Sequence, residues 1–249
     1  MSERKARQRL GLCLLEGVRL VESAQAAGLA LDPILYAPDR LAATAAGRAL
    51  RKRLEHLAEA EEVADGVFRA LSDTVTSQGV VAAAPIPPPL PLLAEGPVLV
   101  LDAIADPGNA GTIIRSAHAA GAAGVVALRG TADLWAPRTL RAAMGSHFQV
   151  PLQVNLDWEQ LAAALHPRPL LIAAARGGPF YWDVDLRGPI AIVIGSEARG
   201  ASSAAQAAAS SSICIPMAAG AESLNAAAAA AILLFEAVRQ RGSPWQPAP

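Results

Sequence analysis

Cysteine is scarce here and badly placed for joint work: Cys13 and Cys214 are the only two in 249 residues. They lie far apart and outside any metal-ligand spacing. That excludes a disulfide framework and a thiolate metal site, and leaves two buried thiols in a reducing compartment. Aromatic residues make up 4% while apolar residues reach 53%, so the core must be built mostly from Ala, Val, Leu and Ile. No charge-free apolar run approaches the roughly 18–20 residues that span a bilayer. The basic start (Arg4, Lys5, Arg7, Arg9) is followed by a segment broken by Glu16 and Arg19, unlike a secretory signal. The expectation is a cytoplasmic protein without membrane or metal partners. Lysine is almost absent, and arginine supplies nearly all the positive charge of a chain whose net charge is −1. Overall charge therefore argues neither for nor against a nucleic-acid partner. Local charge says more, since Arg4–Arg9 form one basic cluster and Arg48, Arg51, Lys52 and Arg53 another. Either cluster alone reads equally as a solvated face.

Proline is concentrated where it divides the chain. Pro85-Ile86-Pro87-Pro88-Pro89-Leu90-Pro91, closing at Gly96-Pro97, prevents helix or central strand and favours a stiff connector. The division expected is 1–84 as a small α/β domain, 85–97 as linker, 98–242 as a larger domain and 243–249 as an irregular tail. In the first part a helix through Ala26 follows Leu14–Gly17, and a strand lies near Pro33–Ala37. Helical pattern runs from Leu41 to about Ala60, a short helix spans Asp65–Ser72, and Val80–Ala83 forms a final strand. The turn-rich stretch Asp73–Gly79 reads as a loop on a binding face. In the second part strands are predicted at Val98–Leu101, Gly124–Leu128, Leu170–Ala175, Ile190–Ile194 and Ser212–Ile215, with a weaker one around Phe148–Leu152. Helices are predicted at Ala110–Ala120, Ala136–Ala143, Trp158–Leu165, Ala201–Ala209 and Ser223–Gln240. Continuous aliphatic strands alternating with helices predict a mostly parallel sheet covered on both faces. Such sheets bind ligands at the carboxyl ends of their strands.

Three polar loops stand at those ends. Asp106-Pro107-Gly108-Asn109-Ala110-Gly111 leads into a helix carrying Arg115. Helix-start amides receive anions, and a guanidinium fork suits phosphate, although a capped helix with a solvated arginine explains the same residues. Gly195-Ser196-Glu197-Ala198-Arg199-Gly200 follows a doubly buried strand. It matches neither G-x-G-x-x-G nor G-x-S-x-G, which argues against a dinucleotide fingerprint and a nucleophile elbow. Ile215-Pro216-Met217 and then Glu222-Ser223-Leu224-Asn225 precede the Ala226–Ala231 run. Ser223 is a natural helix cap, but the alanines imply very close packing there, which favours a site.

These loops, in this order, closely resemble the three motifs of SpoU-type, TrmH-like RNA 2′-O-ribose methyltransferases of the SPOUT superfamily. N-x-G-x-x-x-R corresponds to Asn109, Gly111 and Arg115, G-x-E-x-x-G to Gly195, Glu197 and Gly200, and the third motif to Ile215-Pro216-Met217 with Ser223-Leu224-Asn225. The resemblance spans 98–240. Residues 9–84 resemble the small substrate-binding domain that often precedes it, through Glu16-Gly17 and Ser77-Gln78-Gly79-Val80. It implies S-adenosylmethionine as cofactor, RNA as substrate with ribosomal RNA favoured over transfer RNA, a homodimer, and a deep C-terminal trefoil knot, which no pattern in the sequence would reveal. It also implies a catalytic cluster of Arg115, Glu197, Ser223 and Asn225 supported by Asn109. The implied cofactor pocket comprises Ala173, Ala174, Ala175, Val193, Ile194, Gly195, Glu197, Gly200, Ile215, Pro216, Met217, Ser223, Leu224 and Asn225. The RNA contacts are Arg4, Lys5, Arg7, Arg9, Arg115 and Arg141. Two positions depart from the usual pattern, Ala143 where serine is common and Ala226 where valine is usual. The competing expectations are the same reaction on transfer RNA, a non-catalytic RNA-binding or assembly factor, and, more distantly, a nicotinamide-dependent oxidoreductase.

Overall fold

The periodicities resolve into ten strands and ten helices in a computed structural model that describes residues 4–72, 74 and 76–242. The expected irregular tail 243–249, and residues 73 and 75 of the expected binding-face loop, lie outside the described residues. Along the chain run α1 (Arg4–Leu10), β1 (Leu12–Glu16), α2 (Val18–Ala26), β2 (Ile34–Tyr36), α3 (Pro38–Leu41), α4 (Ala45–Leu54), β3 (Ala60–Glu62), α5 (Asp65–Leu71) and β4 (Val80–Pro85). Then come β5 (Val98–Asp102), α6 (Pro107–Ala119), β6 (Gly124–Leu128), α7 (Pro137–Ala143), β7 (Leu152–Leu156), α8 (Trp158–Leu165) and β8 (Leu170–Ala174). The last four are β9 (Ala191–Gly195), α9 (Ser203–Ala208), β10 (Ser211–Cys214) and α10 (Ala226–Gln240). Among the described residues no helix is long and apolar enough to cross a membrane. None of their side chains group three His, Cys, Asp or Glu as a metal site.

The chain folds as two compact units. One comprises residues 1–88 together with 135–149, and the other 89–134 together with 150–249. The sequence places 135–149 in the larger domain, whereas in the structure α7 packs on β1 of the first unit.

In the first unit a four-stranded sheet runs β1-β4-β2-β3, antiparallel except for the β2–β3 pair. Leu12–Glu16 is a strand in its own right, paired with β4, where the sequence predicted only an approach to helix α2. The single helix expected from Leu41 to Ala60 is two helices. Thr44 interrupts it, its Oγ1 accepting the Gly47 amide at 3.0 Å to cap α4, and Ala60 already belongs to β3. A hydroxyl that can cap a helix competes with continuing one. The two motifs expected in this domain meet physically. Gln78 Oε1 accepts the Val18 amide at 2.9 Å, and a Cβ on Gly17 would lie 2.9 Å from that oxygen. Gly79, at φ +84°, passes so close that a Cβ would meet the Leu41 amide nitrogen at 2.6 Å.

In the second unit six parallel strands run β10-β8-β9-β5-β6-β7. Period-two alternation divides their side chains. Val98, Val100, Val126, Leu128, Leu170, Ile172 and Val193 pack with Leu161 and Leu165 of α8 and Ala205 of α9. Their alternates Leu99, Leu101, Val125, Ile192 and Ile194 are equally buried, on the side where α6 and α10 pack against each other and the sheet. The strand expected around Phe148–Leu152 begins only at Leu152. A 3-10 turn at Ser146–Phe148 and Pro151 occupy the earlier positions, and Pro151 has no amide for the ladder. The second half of the proline-rich connector lies flat on this unit. Arg168 donates to Gly96 O at 2.7 Å and Ala94 O at 2.8 Å.

Candidate functional site

The three polar loops converge at the carboxyl ends of β5, β9 and β10. Asp106 caps α6 by accepting the Asn109 amide at 2.8 Å, and Pro107 supplies the first helical residue, three positions earlier than predicted. The Asn109 side chain is therefore fixed on the first turn. Its Nδ2 donates to Glu197 Oε1 at 2.6 Å, and its Oδ1 accepts Asn225 Nδ2 at 2.9 Å. Asn225 in turn uses Oδ1 to accept the amides of Ala227 and Ala228 at 2.9 and 3.2 Å. Asn225, not Ser223, is thus the cap of α10. The helix starts at Ala226, and Ser223 stays exposed in the preceding loop. The direction of this relay is fixed at both ends. Backbone N–H groups face the Asn225 oxygen, and a carboxylate, which only accepts, faces the Asn109 amide nitrogen.

The second loop is a closed turn. Ser196 and Gly200 exchange backbone bonds of 3.0 and 2.8 Å, and the Arg199 amide reaches Ser196 Oγ at 3.2 Å. The chain doubles back so tightly that a Cβ on Gly195 would sit 2.2 Å from Ala201 N and Gly200 C. Only glycine permits that crossing.

Behind the relay lies an open cavity of about 180 Å³. Ala173, Ala174 and Ala175 from β8, Ile194 and Gly195 from β9, and Ile213 and Ile215 around β10 form its walls. Ser196, Glu197 and Gly200 border it from the second loop, Met217, Ser223 and Leu224 from the third, and Ala226 and Ala229 from α10. Of the residues implied for the cofactor, Val193, Pro216 and Asn225 are absent from this wall. Val193 points to the opposite sheet face, packed with α8 and α9, as its even spacing from Ala191 requires. Pro216 is exposed, and Asn225 stands at the head of α10, engaged by Asn109. Ser196 and Ile213 fall within the stretches 193–200 and 213–218 that the resemblance implies, whereas Ala226 and Ala229 lie outside them. For the two alanines the signal was the alanine run itself, since i and i+3 on one helix share a face.

Arg115 sits two turns into α6, exposed, with no hydrogen bond or ion pair among the described residues. Among the basic residues of the first unit, Arg4, Lys5 and Arg9 are exposed, but Arg7 is only 3% exposed. Its side chain is turned inward on α1 and is corrected from an RNA contact to a buried group. Arg141, on α7, is held by Glu16. Its Nη1 lies 3.3 Å from Glu16 Oε2, while the hydroxyls of Ser72 and Thr74 donate to Glu16 Oε1 at 2.5 Å each. Burial raises the Glu16 pKa, but the hydroxyls of Ser72, Thr74 and Ser77 and the Arg141 charge together hold it below the usual carboxylate range. Ala143 is fully buried and Ala226 lines the cavity, so both departures from the family pattern are packing positions.

The SpoU rRNA Methylase family profile matches residues 96–235, and the MRM3-like substrate binding domain profile matches residues 1–82. The chain is 32% identical over 235 residues to the 23S rRNA (guanosine(2553)-2′-O)-methyltransferase RlmP of Bacillus subtilis, covering 93% of this chain and 90% of that one. It is 31% identical over 308 residues to the mitochondrial rRNA methyltransferase 3 of Mus musculus, covering 96% of this chain and 70% of that one. The crystal structure of the SpoU methyltransferase AviRb from Streptomyces viridochromogenes in complex with the cofactor AdoMet superposes with a TM-score of 0.86. The two chains are 30% identical, with 97% of this chain and 94% of that chain covered. This chain belongs to the SpoU rRNA methylase family.

Proposed function

We propose that this protein transfers a methyl group from S-adenosylmethionine to a ribose 2′-hydroxyl of 23S-type ribosomal RNA, with residues 1–84 selecting the target. The observation that carries the proposal is the Asn225–Asn109–Glu197 relay, which ties all three motifs together at the mouth of one apolar cavity.

The cavity fits the cofactor chemically. Alanine and isoleucine side chains offer apolar faces to a nucleoside, and Gly195 leaves backbone close to any ligand there. Ser196, Glu197 and Ser223 place polar groups on the border. When bound, S-adenosylmethionine supplies a sulfonium methyl open to in-line attack. The protein's share is alignment and charge. Arginine stays protonated in proteins, so Arg115 acts by gripping the adjacent phosphate and stabilising negative charge that grows on the 2′-oxygen. Glu197, oriented by Asn109, and Ser223 and Asn225 at the α10 end position the nucleotide. Arg4, Lys5, Arg9 and Arg141 supply local positive charge for the RNA backbone, which suffices in a near-neutral protein when contacts are local.

A homodimer, a C-terminal trefoil knot and a cytoplasmic location belong to the same proposal. Phe180, Trp182 and Phe235, exposed on the second unit, give apolar surface that a second copy would cover. Mapping of 2′-O-methyl sites in ribosomal and transfer RNA, with and without this gene, tests the substrate. Loss of a single 23S site is expected, and loss of a transfer-RNA site instead would reassign it. Arg115→Lys should lower turnover because the fork is lost, and unchanged turnover would remove Arg115 from its role.

A further inference from the structure

The relay holds the second loop at its tip, through Glu197. A second hold exists at its base, in a residue outside all three motifs. Asp102 ends β5 at the register position opposite Gly195 and is 5% exposed. Two positions beyond Val100, it shares the sheet face covered by α8 and α9. There its Oδ2 accepts the backbone amide of Ser202 at 2.7 Å. Ser202 is where the second loop ends and α9 begins, its own Oγ accepting the Ala205 amide at 3.2 Å. The next residue after Asp102, Ala103, takes φ +58°, turning the chain towards Asp106 and Asn109. One short segment, 102–109, therefore grasps the 195–202 loop twice: Asp102 at its base and Asn109 at its tip.

We infer that Asp102 is a positioning residue: by pinning the Ser202 amide, its carboxylate sets where the Gly195–Gly200 turn closes and so shapes the cavity floor. This rests on the proposed function, since the turn matters through the cofactor it borders. Nothing in the role requires Asp102 to touch ligand. What it supplies is a fixed acceptor, because leaving this part-buried amide without one destabilises the turn. An asparagine in its place keeps that acceptor. An alanine does not.

Calorimetric titration of S-adenosylmethionine into the full chain tests this. Asp102→Ala should weaken binding roughly ten- to hundredfold, whereas Asp102→Asn should stay within about threefold of wild type. A second pair attacks the same bond from its donor. Ser202→Pro deletes the N–H at a residue whose φ of −63° suits proline, and Ser202→Ala keeps the N–H while losing only the hydroxyl. Ser202→Pro should lose affinity as Asp102→Ala does, and Ser202→Ala should not. In steady-state methyl transfer the KM for RNA should remain that of wild type in all four. Equal affinity of Asp102→Ala and wild type overturns the inference, as does an equal loss in Asp102→Asn. If Asp102→Ala does not fold, the Ser202 pair decides alone, and equal affinities overturn it. A wild-type chain that fails to bind S-adenosylmethionine overturns the proposed function, and this inference with it. Wild-type binding with unaffected variants overturns the inference only.

Discussion

Asn109 and Glu197 stand 88 positions apart in the chain and share a 2.6 Å hydrogen bond. The same amide accepts from Asn225, 116 positions away. Asn109 thus touches both other loops, and it sits on a helix turn whose own cap, Asp106, binds the Asn109 backbone rather than its side chain.

Fold and relay are therefore separable at Asn109. Asn109→Asp should keep the α6 cap while setting like charge against Glu197 and removing the donor. Transfer of labelled methyl into RNA should fall by roughly ten- to a hundredfold, with the thermal midpoint little changed. A large stability loss with normal activity per folded molecule would contradict the relay.

Asn225 does two jobs that can be divided chemically. Asn225→Asp keeps an oxygen for the Ala227 and Ala228 amides but loses the Nδ2 bond to Asn109. It should be as stable as wild type and poorly active. Asn225→Ala loses both and should be destabilised by about 1 kcal/mol as well. Denaturant melts beside turnover assays separate the two.

Gly195 and Gly188 make a matched pair. Alanine at Gly195 drives a Cβ into Gly200 and Ala201 backbone, whereas at Gly188 a Cβ meets nothing within 4 Å. Gly195→Ala should cost about 1–3 kcal/mol or abolish cofactor binding, and Gly188→Ala should do neither. Calorimetry with S-adenosylmethionine and a thermal scan read both.

Glu16 gives a pH dependence with a definite sign. Its folded pKa lies below the unfolded one, so its stabilisation is complete above the unfolded value, about 4.3. It is lost as pH falls through the folded value. Urea midpoints of wild type should therefore drop as pH goes below roughly 4. Glu16→Gln should begin lower at neutral pH and show a shallower decline, and parallel curves would exclude Glu16 as a contributor.

Much of the second unit was legible because its strands are continuous aliphatic runs buried on both faces, a signal that survives without knowledge of partners. All five main strand predictions overlap observed strands. The sixth slipped because Phe148 closes a 3-10 turn and Val150 precedes Pro151, and isolated apolar residues do not reveal which conformation holds them. The break at Thr44 and the cap at Asn225 were missed for one reason. Both turn on which of several polar side chains reaches a backbone amide, and Ser223 and Asn225 are equally able by residue type. Arg7 was grouped with its basic neighbours because sequence shows charge but not the face of the helix that carries it.

The parallel α/β class, the proline-rich segment and the three loops with their residues in order are legible in the chain before it folds. These are local properties of pattern and motif. It takes the folded chain to show that Asn109 joins Glu197 to Asn225, that Val193 faces away from the cavity while Ile194 faces it, and that Asp102 reaches Ser202 100 positions later. Those outcomes depend on strand order, since β5 and β9 are neighbours in space although three helices and three strands (α6, β6, α7, β7, α8 and β8) separate them in the chain. Hydrogen bonds act over about 3 Å, and no reading of residue order sets a distance of that size between segments so far apart.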